Sequence, residues 1–432
     1  MHRLTSLAVL ALWFGGLFGW GSGGRPSRPN IVMILVDTLR ADHLGAYGYP
    51  RPTSPAIDEI AATSVLFERA YSTAPWTNPT IATLFTGYYP QELFRVAPHR
   101  FAIHQALPLA VDTLAERLRA AGYRTAALVD HPGIGPGLHY DQGFESFHRL
   151  FQEAGAPPWG ITDPSFVFQQ VDRQLASTAP PFFLYLHLVY PHRPYAAPAD
   201  YQQLFGPKFL RLGPRQRDGV INAYDAEIRY TDDLIGRIVG ALRQRGLWEK
   251  SWVVILSDHG EGFWEHGVAE HGNTLFDELL HVPLILHPPA ARGLAPERVA
   301  RPVSLVDFCP TILDLAEIEL PESLRTRSLI RGSSERPIFS ESKHSGNLGE
   351  RSVRSQGFKY IGDLQHGALF DLQADPGESN PLPDRPEVRA EFLALLRQHE
   401  ETAQASRRHW GGDVRSVDEG TLQRLRALGY DD

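Results

Sequence analysis

The chain of 432 residues contains a single cysteine, Cys309, so it can form neither an internal disulfide nor a cysteine-based zinc cluster. Cys309 lies in the apolar run 305–310, which predicts a small buried side chain rather than a reactive thiol. The chain also lacks a block of Lys and Arg residues, and its formal net charge is −8. Because binding to a phosphate backbone needs a clustered basic face, the sequence argues against a nucleic-acid partner.

Charged residues are missing from one stretch near the N-terminus, between Arg3 and Arg25, and residues 4–20 are largely apolar. This stretch falls between the ~7–15 apolar residues of a signal peptide and the ~20 of a membrane span. We interpret residues 1–24 as a cleaved signal peptide, with an uncleaved membrane anchor as the alternative. The protein is therefore expected to be exported, periplasmic or extracellular, and to meet a membrane only through this segment.

Apolar runs typical of strands alternate with helical patterns through the first three hundred residues. The run 31–36 is continuously apolar, as expected for a central parallel strand that is covered on both faces. Similar runs and helical patterns follow one another along the chain: strands at 125–129, 182–189, 252–256 and 282–286, and helices at 55–64, 113–121 and 223–245. This alternation predicts an α/β fold with a doubly wound, mainly parallel sheet.

The pattern changes near residue 335, where short strands separated by polar turns begin. Strand-like segments at 337–340, 358–361 and 368–372 predict a small antiparallel unit, and helical patterns follow at 388–398 and 422–430. We therefore expect four parts: residues 1–24 for export or anchoring, 25–334 as the catalytic domain, 335–382 as a small antiparallel subdomain, and 383–432 as a helical segment.

Polar side chains follow three of the predicted strands at the point where each one ends. Asp37 follows the first run, Asp258 and His259 follow the run 252–256, and His192 comes shortly after the run 182–189. Ligands of open α/β sheets bind beyond the carboxyl ends of the strands, so these side chains are expected to meet at one edge. Carboxylates and imidazoles together are suited to a divalent cation.

A fourth segment, residues 74–81, places a hydroxyl at the start of a predicted helix. Pro79 suits a first helical turn, and Thr77 or Asn78 is expected at the N-cap. In one interpretation Thr77 only caps the helix. In the other, a neighbouring cation activates the Thr77 hydroxyl as a nucleophile near neutral pH.

Four ordered segments resemble the sulfatase family of the alkaline phosphatase superfamily. Residues 28–50 (RPNIVMILVDTLRADHLGAYGYP) resemble its opening strand and first metal-binding turn, and residues 71–90 (YSTAPWTNPTIATLFTGYYP) its nucleophile segment. Residues 257–283 (SDHGEGFWEHGVAEHGNTLFDELLHVP) are similar to its second metal-binding segment, and 370–381 (FDLQADPGESNP) to its C-terminal strand and turn.

The resemblance implies roles for six residues. It implies that Asp37, Asp258 and His259 bind the metal and that Thr77 is both nucleophile and ligand. His192 and His271 would contact the substrate oxyanion, protonate the leaving group, or hold a second metal.

Two further histidines are interpreted from their positions. His266, on a loop flanked by glycine, is as consistent with a structural role as with a catalytic one. His187, inside the apolar run 182–189, is interpreted as a core histidine with a backbone partner.

The chain departs from the sulfatase pattern at its nucleophile. Sulfatases oxidise Cys or Ser in a C/S-x-P-x-R segment to formylglycine, whereas this chain has Thr77, and Ile81 stands where the Arg is expected. The methyl group of Thr77 prevents formation of the aldehyde. Thr38 replaces a second Asp of calcium-type sulfatases, and His271 stands where they have Lys.

With these departures, the chain resembles three branches of the superfamily: the phosphodiesterases, the lipoteichoic-acid-synthase-like proteins and the phosphoethanolamine-transferase-like proteins. Imidazole and carboxylate ligands favour zinc or manganese, with calcium as the alternative. The sequence leaves the presence of a second metal open.

The resulting hypothesis is a metal-dependent hydrolase that cleaves a sulfate or phosphate ester through Thr77, with phosphodiesterase or phosphatase chemistry. A transferase of a phosphorus-bearing group to a cell-surface glycan or lipid is the first alternative. A non-catalytic binding protein that kept the fold is the second. The expected substrate is a small-molecule, glycan or lipid ester, and the oligomeric state stays open.

Overall fold

The computed structural model describes residues 28–94, 106–156, 162–209, 211–324, 326–331, 335–342, 350–383 and 385–410, together with residue 423. The segment 1–24 lies outside these residues, and so does the helix expected over 422–430 apart from residue 423. Among the helices of the described ranges, none combines the length and the apolar character needed to span a membrane.

Fifteen strands and eleven α-helices make up the described chain. The strands are β1 (Asn30–Val36), β2 (Val65–Tyr71), β3 (Arg124–Val129), β4 (Ser146–Arg149), β5 (Phe182–Leu188), β6 (Ser251–Leu256), β7 (Gly262–Phe263), β8 (Ala269–Glu270), β9 (His281–Val282), β10 (Leu284–His287), β11 (Glu297–Ser304), β12 (Ile338–Glu341), β13 (Arg351–Ser355), β14 (Phe358–Gly362) and β15 (Gly367–Asp371). The helices are α1 (Pro55–Ala61), α2 (Thr77–Thr86), α3 (Pro90–Leu93), α4 (Leu114–Ala120), α5 (Leu150–Glu153), α6 (Pro164–Ser177), α7 (Ala199–Gln203), α8 (Arg217–Gln244), α9 (Asp277–Leu280), α10 (Phe308–Leu315) and α11 (Pro386–Trp410).

The main sheet has nine strands in the order β11-β2-β10-β6-β1-β5-β3-β4, with β9 paired to β2. The pairings of β6 with β1, β1 with β5, β5 with β3 and β3 with β4 are all parallel. The apolar run expected over 282–286 is divided at Pro283 into β9 and β10, and β10 runs antiparallel to both of its neighbours. The expected doubly wound, mainly parallel sheet is confirmed.

Strand β1 shows how the core is built, because alternate side chains of a strand point to opposite faces. Ile31, Met33 and Leu35 belong to a buried cluster that includes side chains of α2, α4 and α10. Val32, Ile34 and Val36 belong to a second cluster that includes side chains of α1, α6 and α8. Helices therefore cover both faces of the sheet, as the continuous apolar run predicted. Cys309 is buried in the first cluster, which confirms its interpretation as a core side chain.

Strands β2, β4, β7, β8, β11 and β13 were not predicted. Strand β2 carries Glu68 and Arg69 in its second half, and β11 has the sequence ERVARPVS with its first half mostly exposed. Strand β11 lies at the edge of the main sheet, where charged residues and proline are common because they discourage pairing with other chains. Strands β2 and β13 lie inside their sheets, but charged residues interrupt their apolar pattern. A search for apolar runs therefore misses these strands.

The C-terminal residues form a four-stranded antiparallel sheet in the order β12-β13-β14-β15. Helix α11 packs on one face, where Phe392 and Leu396 are buried. The other face contributes to a buried cluster with Tyr71 of the main sheet. Two hydrogen bonds join the sheets directly: the Ser340 hydroxyl donates to the Ser72 carbonyl (2.6 Å), and the Glu341 N–H donates to the Thr73 carbonyl (2.9 Å). The second sheet thus holds the segment that leads into α2.

A buried ion cluster also ties the second sheet to the main body. The Lys359 ammonium lies 2.7 Å from Asp277 Oδ1 and 2.6 Å from Glu378 Oε1. The side chains of Lys359 and Glu378 are each 1% exposed, so solvent screens these contacts little. Removing one partner of a buried ion pair leaves an uncompensated charge in the interior.

We expect Lys359→Ala to lower the free energy of unfolding by about 3–5 kcal/mol, because the buried carboxylate of Glu378 loses the cation it pairs with, whereas Asp277 keeps Arg354. Urea denaturation followed by circular dichroism measures the change. Arg292→Ala is the matched control, since the Arg292–Glu317 pair is 34% and 58% exposed and should contribute at most about 1 kcal/mol. Equal effects of the two substitutions would contradict this account of the cluster.

Candidate metal centre and active site

The four residues expected to gather around a cation lie together at the carboxyl ends of β1 and β6. Thr77 Oγ1 is 3.2 Å from His259 Nε2. The same nitrogen is 3.5 Å from Asp37 Oδ1 and 3.5 Å from Asp258 Oδ2. All four side chains are buried. Parallel strands that are neighbours in the sheet end at the same edge, which brings residues 37 and 258 together despite their separation in the chain.

Thr77 is the first residue of α2, and the N-cap position belongs to Trp76 rather than to Thr77 or Asn78 as expected. The start of this helix is fixed by its neighbours. The Asn78 amide donates to the Gly133 carbonyl (2.8 Å), and the Tyr140 hydroxyl donates to the Asn78 carbonyl (2.7 Å). These bonds fix the position of the hydroxyl relative to the strand ends.

The turns after β1 and β6 adopt backbone conformations that restrict which residues can occupy them. Thr38 has a φ of 55°, a left-handed conformation that costs about 1–3 kcal/mol for a β-branched residue. Its N–H donates to Asp258 Oδ1 (3.4 Å), and its carbonyl accepts from the Tyr224 hydroxyl (2.6 Å). At Gly260, a Cβ atom would lie 2.0 Å from the Glu278 carbonyl oxygen, so no other residue fits.

The hydrogen-bond partner of His259 decides which of its nitrogens faces the site with a lone pair. Nδ1 lies 2.9 Å from the Gly260 carbonyl, which can only accept, so the neutral ring carries its hydrogen on Nδ1. Nε2 therefore has a lone pair toward Thr77 and the two carboxylates. That lone pair can accept from the Thr77 hydroxyl or bind a cation.

His192 and His271, the two other expected site residues, stand beside this group. The His271 ring centroid is 4.5 Å from that of His259 and 4.9 Å from that of His192. His192 Nδ1 lies 2.7 Å from the Arg193 carbonyl. Burial lowers the pKa of His192 to about 3 and that of His271 to about 4, so both rings are neutral near pH 7.

His187 is buried, as its place in an apolar run suggested, but its partner is a side chain rather than the expected backbone group. Its Nδ1 contacts the Tyr185 hydroxyl (2.9 Å), and its Nε2 lies 3.8 Å from Asp37 Oδ2. The expected backbone partner was wrong because His187 is the penultimate residue of β5, where the strand reaches the edge that carries the site. Burial lowers its pKa to about 4.

Two site residues were missed, His131 and Glu261. His131 follows β3, stacks on His187 with ring centroids 5.3 Å apart, and has Nε2 3.8 Å from Asp37 Oδ2. The same rule that found Asp37 would have found it, because it follows a predicted strand. Glu261 is buried, and its Oε1 lies 3.1 Å from His271 Nδ1. Nothing in its spacing distinguishes it from a surface residue.

His266 lies outside this group. Its Nδ1 is 2.8 Å from Glu278 Oε1, its Nε2 is 3.2 Å from the Glu378 carbonyl, and its ring stacks on Phe276. Both nitrogens are therefore engaged in structural contacts between the main body and the C-terminal sheet.

The two carboxylates show that the residues present fit a divalent cation. Among the described residues, both oxygens of Asp37 and Oδ2 of Asp258 are buried without a hydrogen-bond donor. Burial, followed by the neighbouring carboxylate of Asp258, raises the pKa of Asp37 well above its ordinary range. Ligand atoms of Asp37, Asp258 and His187 also lie within 4.8 Å of one another. Buried carboxylates that lack donors are stabilised when they bind a cation.

Comparison with known proteins agrees with the sequence motifs. The family model described as Sulfatase matches residues 29–318. An ulvan-active sulfatase of Formosa agariphila is 27% identical over 406 residues, which cover 84% of this chain and 78% of the relative. An uncharacterised sulfatase of Escherichia coli is 26% identical over 470 residues, covering 90% of this chain and 92% of the relative.

A solved structure shows the same fold. The phosphonate monoester hydrolase of Agrobacterium radiobacter superposes with a TM-score of 0.71 at 22% sequence identity, covering 88% of this chain and 96% of that chain. The expected alkaline phosphatase and sulfatase architecture, with its C-terminal antiparallel sheet, is therefore confirmed.

Asp130, next to His131, offers a test of how far solvent is excluded from this edge of the sheet. Its Oδ1 accepts from the Thr162 hydroxyl, its Oδ2 has no hydrogen-bond partner among the described residues, and burial raises its pKa to about 7. From pH 4 to 7 the folded protein keeps a proton that the unfolded chain has released. Wild-type stability therefore falls as the pH rises through this window, by up to about 4 kcal/mol.

Asp130→Asn removes this titration, so the variant should gain stability relative to wild type between pH 4.5 and pH 7.5. Urea denaturation of both proteins at the two pH values and one metal concentration measures the change. A difference between the proteins that stays constant with pH would show that Asp130 titrates normally.

Proposed function

The chain belongs to the sulfatase family, and on that premise we propose that it is a metal-dependent hydrolase that cleaves a phosphate-type ester with Thr77 as its nucleophile. One observation carries the proposal: Thr77 Oγ1 lies 3.2 Å from His259 Nε2, beside three buried carboxylate oxygens, both of Asp37 and Oδ2 of Asp258, that accept no hydrogen bond from the described residues. A hydroxyl in such a place is set to be activated as a nucleophile. The expectation of a hydrolase agrees with the sulfatases and the phosphonate monoester hydrolase that this chain resembles.

Asp37, Thr77, Asp258 and His259 would hold the cation. Imidazole among its ligands favours zinc or manganese over calcium, which prefers six or more oxygen ligands. When bound, the cation would lower the pKa of the hydroxyl and neutralise charge on the ester oxygens.

The identity of the nucleophile favours phosphorus over sulfur. Thr77 presents one hydroxyl on a carbon that also carries a methyl group, so it cannot form the aldehyde of formylglycine. A single hydroxyl can still form a phosphothreonine, which water then hydrolyses. A sulfate ester is the competing substrate class.

The reaction requires two displacements at phosphorus. In the first, Thr77 Oγ1 bonds to phosphorus, the bond to the leaving alkoxide breaks, and the hydroxyl proton ends on the leaving oxygen. In the second, water bonds to phosphorus, the P–Oγ1 bond breaks, and one proton of the water returns to Thr77. His192 and His271 are neutral near pH 7, so each can accept a proton in transit and release it again.

Glu261 is a positioning residue in this scheme. With its carboxylate ionised, it accepts a hydrogen bond from His271 Nδ1–H, which places the lone pair of the neutral ring on Nε2. The Tyr195 hydroxyl lies 3.4 Å from the other carboxylate oxygen. The pair orients one imidazole in the way that a carboxylate orients the base of a catalytic triad.

The substrate is proposed to be a small-molecule or glycan ester. This rests on the activities of two similar proteins, a sulfatase active on ulvan and a hydrolase of phosphonate monoesters. An exported location, proposed from residues 1–24, would place the enzyme where such compounds are met.

We expect Thr77→Ala to lower kcat/KM on aryl phosphate esters by a factor on the order of 10³ or more, because the nucleophile is lost. Thr77→Ser keeps the hydroxyl and should retain measurable activity. Assays with zinc or manganese on aryl phosphate monoesters, diesters and aryl sulfate measure the effect. A Thr77→Ala rate equal to wild type would refute the nucleophile, and faster cleavage of the sulfate would refute the phosphate assignment.

Glu261→Gln is expected to lower kcat by about 10–100-fold with little change in KM, because His271 loses the partner that fixes its tautomer. Glu261→Asp should restore part of the rate. Steady-state kinetics from about pH 3 to pH 9 measure both effects, and the acidic limb, which the His271 pKa of about 4 places below pH 5, should change in the Gln variant. If kcat falls equally at every pH and the Asp variant does not restore it, Glu261 has only a structural role.

A further inference from the structure

The two carboxylate oxygens of Asp37 face different histidines. Oδ1 lies 3.5 Å from His259 Nε2, on the side that holds Thr77. Oδ2 lies 3.8 Å from His187 Nε2 and 3.8 Å from His131 Nε2. Neither oxygen accepts a hydrogen bond from the described residues. Oδ2 of Asp37 is therefore as poorly stabilised by donors as Oδ1.

The two histidines on the Oδ2 side differ in the nitrogen that carries hydrogen. His131 Nδ1 accepts from the Gly133 N–H (3.1 Å), so the neutral ring has its hydrogen on Nε2 and faces Asp37 as a donor. His187 Nδ1 instead faces the Tyr185 hydroxyl at 2.9 Å. When Nδ1–H donates to that oxygen, a lone pair is left on His187 Nε2, which is buried without a hydrogen-bond partner.

In that tautomer, His187 has the arrangement that proteins use to hold a metal-binding imidazole. A ligand histidine donates its remote N–H to an oxygen that fixes the tautomer and the ring orientation. Nitrogen and oxygen ligands at about 2.1 Å from a shared zinc ion lie about 3–4 Å apart. The 3.8 Å between His187 Nε2 and Asp37 Oδ2 falls in that range, and an Asp258 oxygen lies within 4.8 Å of both.

The buried charge is consistent with more than one cation. Asp37, Asp258 and Glu261 are all buried, and none of them forms an ion pair with a described Lys or Arg side chain. A phosphate-type ester and the developing alkoxide of Thr77 would add further negative charge at the same place. Paired divalent ions about 3.5–4 Å apart serve in many phosphoryl-transfer sites to neutralise such charge.

We propose that Asp37 bridges two cation positions, and that His187 is the ligand of a second one on the Oδ2 side, with Asp258 in reach. The ion is a transition metal of the zinc or manganese type, because an imidazole supplies one of its ligands. Tyr185 acts through His187 as a positioning residue. The first position is that of the proposed function, and the inference rests on it.

Titration of the metal-stripped full chain with zinc, followed by competition against a chromophoric chelator, tests the inference. Wild type should bind two equivalents and His187→Gln one. Tyr185→Phe removes only the hydroxyl, so it should keep both equivalents and weaken one of them by about 10–100-fold. His131→Gln is the matched control and should keep two, because His131 presents a donor rather than a lone pair.

The outcomes separate this inference from the proposed function. One tight equivalent in wild type, or two unchanged equivalents in His187→Gln, overturns the second position and leaves the first intact. Absence of any tightly bound zinc or manganese contradicts both. Circular dichroism of each metal-free variant shows whether it is folded. If His187→Gln does not fold, the zinc affinity of Tyr185→Phe decides whether the second cation position exists.

Discussion

The site depends on a pair of carboxylates, Asp37 and Asp258, buried at neighbouring strand ends with almost no donor to satisfy them. Backbone N–H groups of Thr38 and His259 reach Asp258 Oδ1, but Asp258 Oδ2 and both oxygens of Asp37 accept no hydrogen bond from the described residues. Burying two ionised groups of the same sign in this way costs several kcal/mol each. A divalent cation would offset that cost, so the arrangement that destabilises the metal-free protein would also favour metal binding.

The fold explains how such a pair is assembled and kept in place. Strands β1 and β6 are adjacent and parallel, so the residues that follow them meet although they are far apart in sequence. The helices on both faces of the sheet exclude water from the edge where they end. The C-terminal sheet contributes indirectly, because its bonds to Ser72 and Thr73 hold the approach to α2 and thereby the position of Thr77. The Thr77 hydroxyl, the two carboxylates and the imidazoles are thus held in place by elements from most of the chain.

Much of this could be predicted from the sequence, and the omissions have physical causes. Strand ends were found wherever a strand is apolar on both faces, which located Asp37, Asp258 and His259. Strands β2 and β11 escaped because charged residues interrupt their apolar pattern, Glu68 and Arg69 in β2 and Glu297, Arg298 and Arg301 in β11. His187 was misjudged because a sequence run does not show where a strand passes from the helix-covered core to the open edge. Glu261 reaches His271 only through the short β7–β8 hairpin, a contact that residue spacing does not reveal.

A crystal structure of the metal-loaded protein, with anomalous data at the metal absorption edge, shows whether Thr77 shares a cation with Asp37, Asp258 and His259. We expect an anomalous peak about 2.0–2.3 Å from an oxygen of each carboxylate, from His259 Nε2 and from Thr77 Oγ1. A peak at another place, or one that leaves the Thr77 hydroxyl well beyond bonding distance, would contradict this expectation.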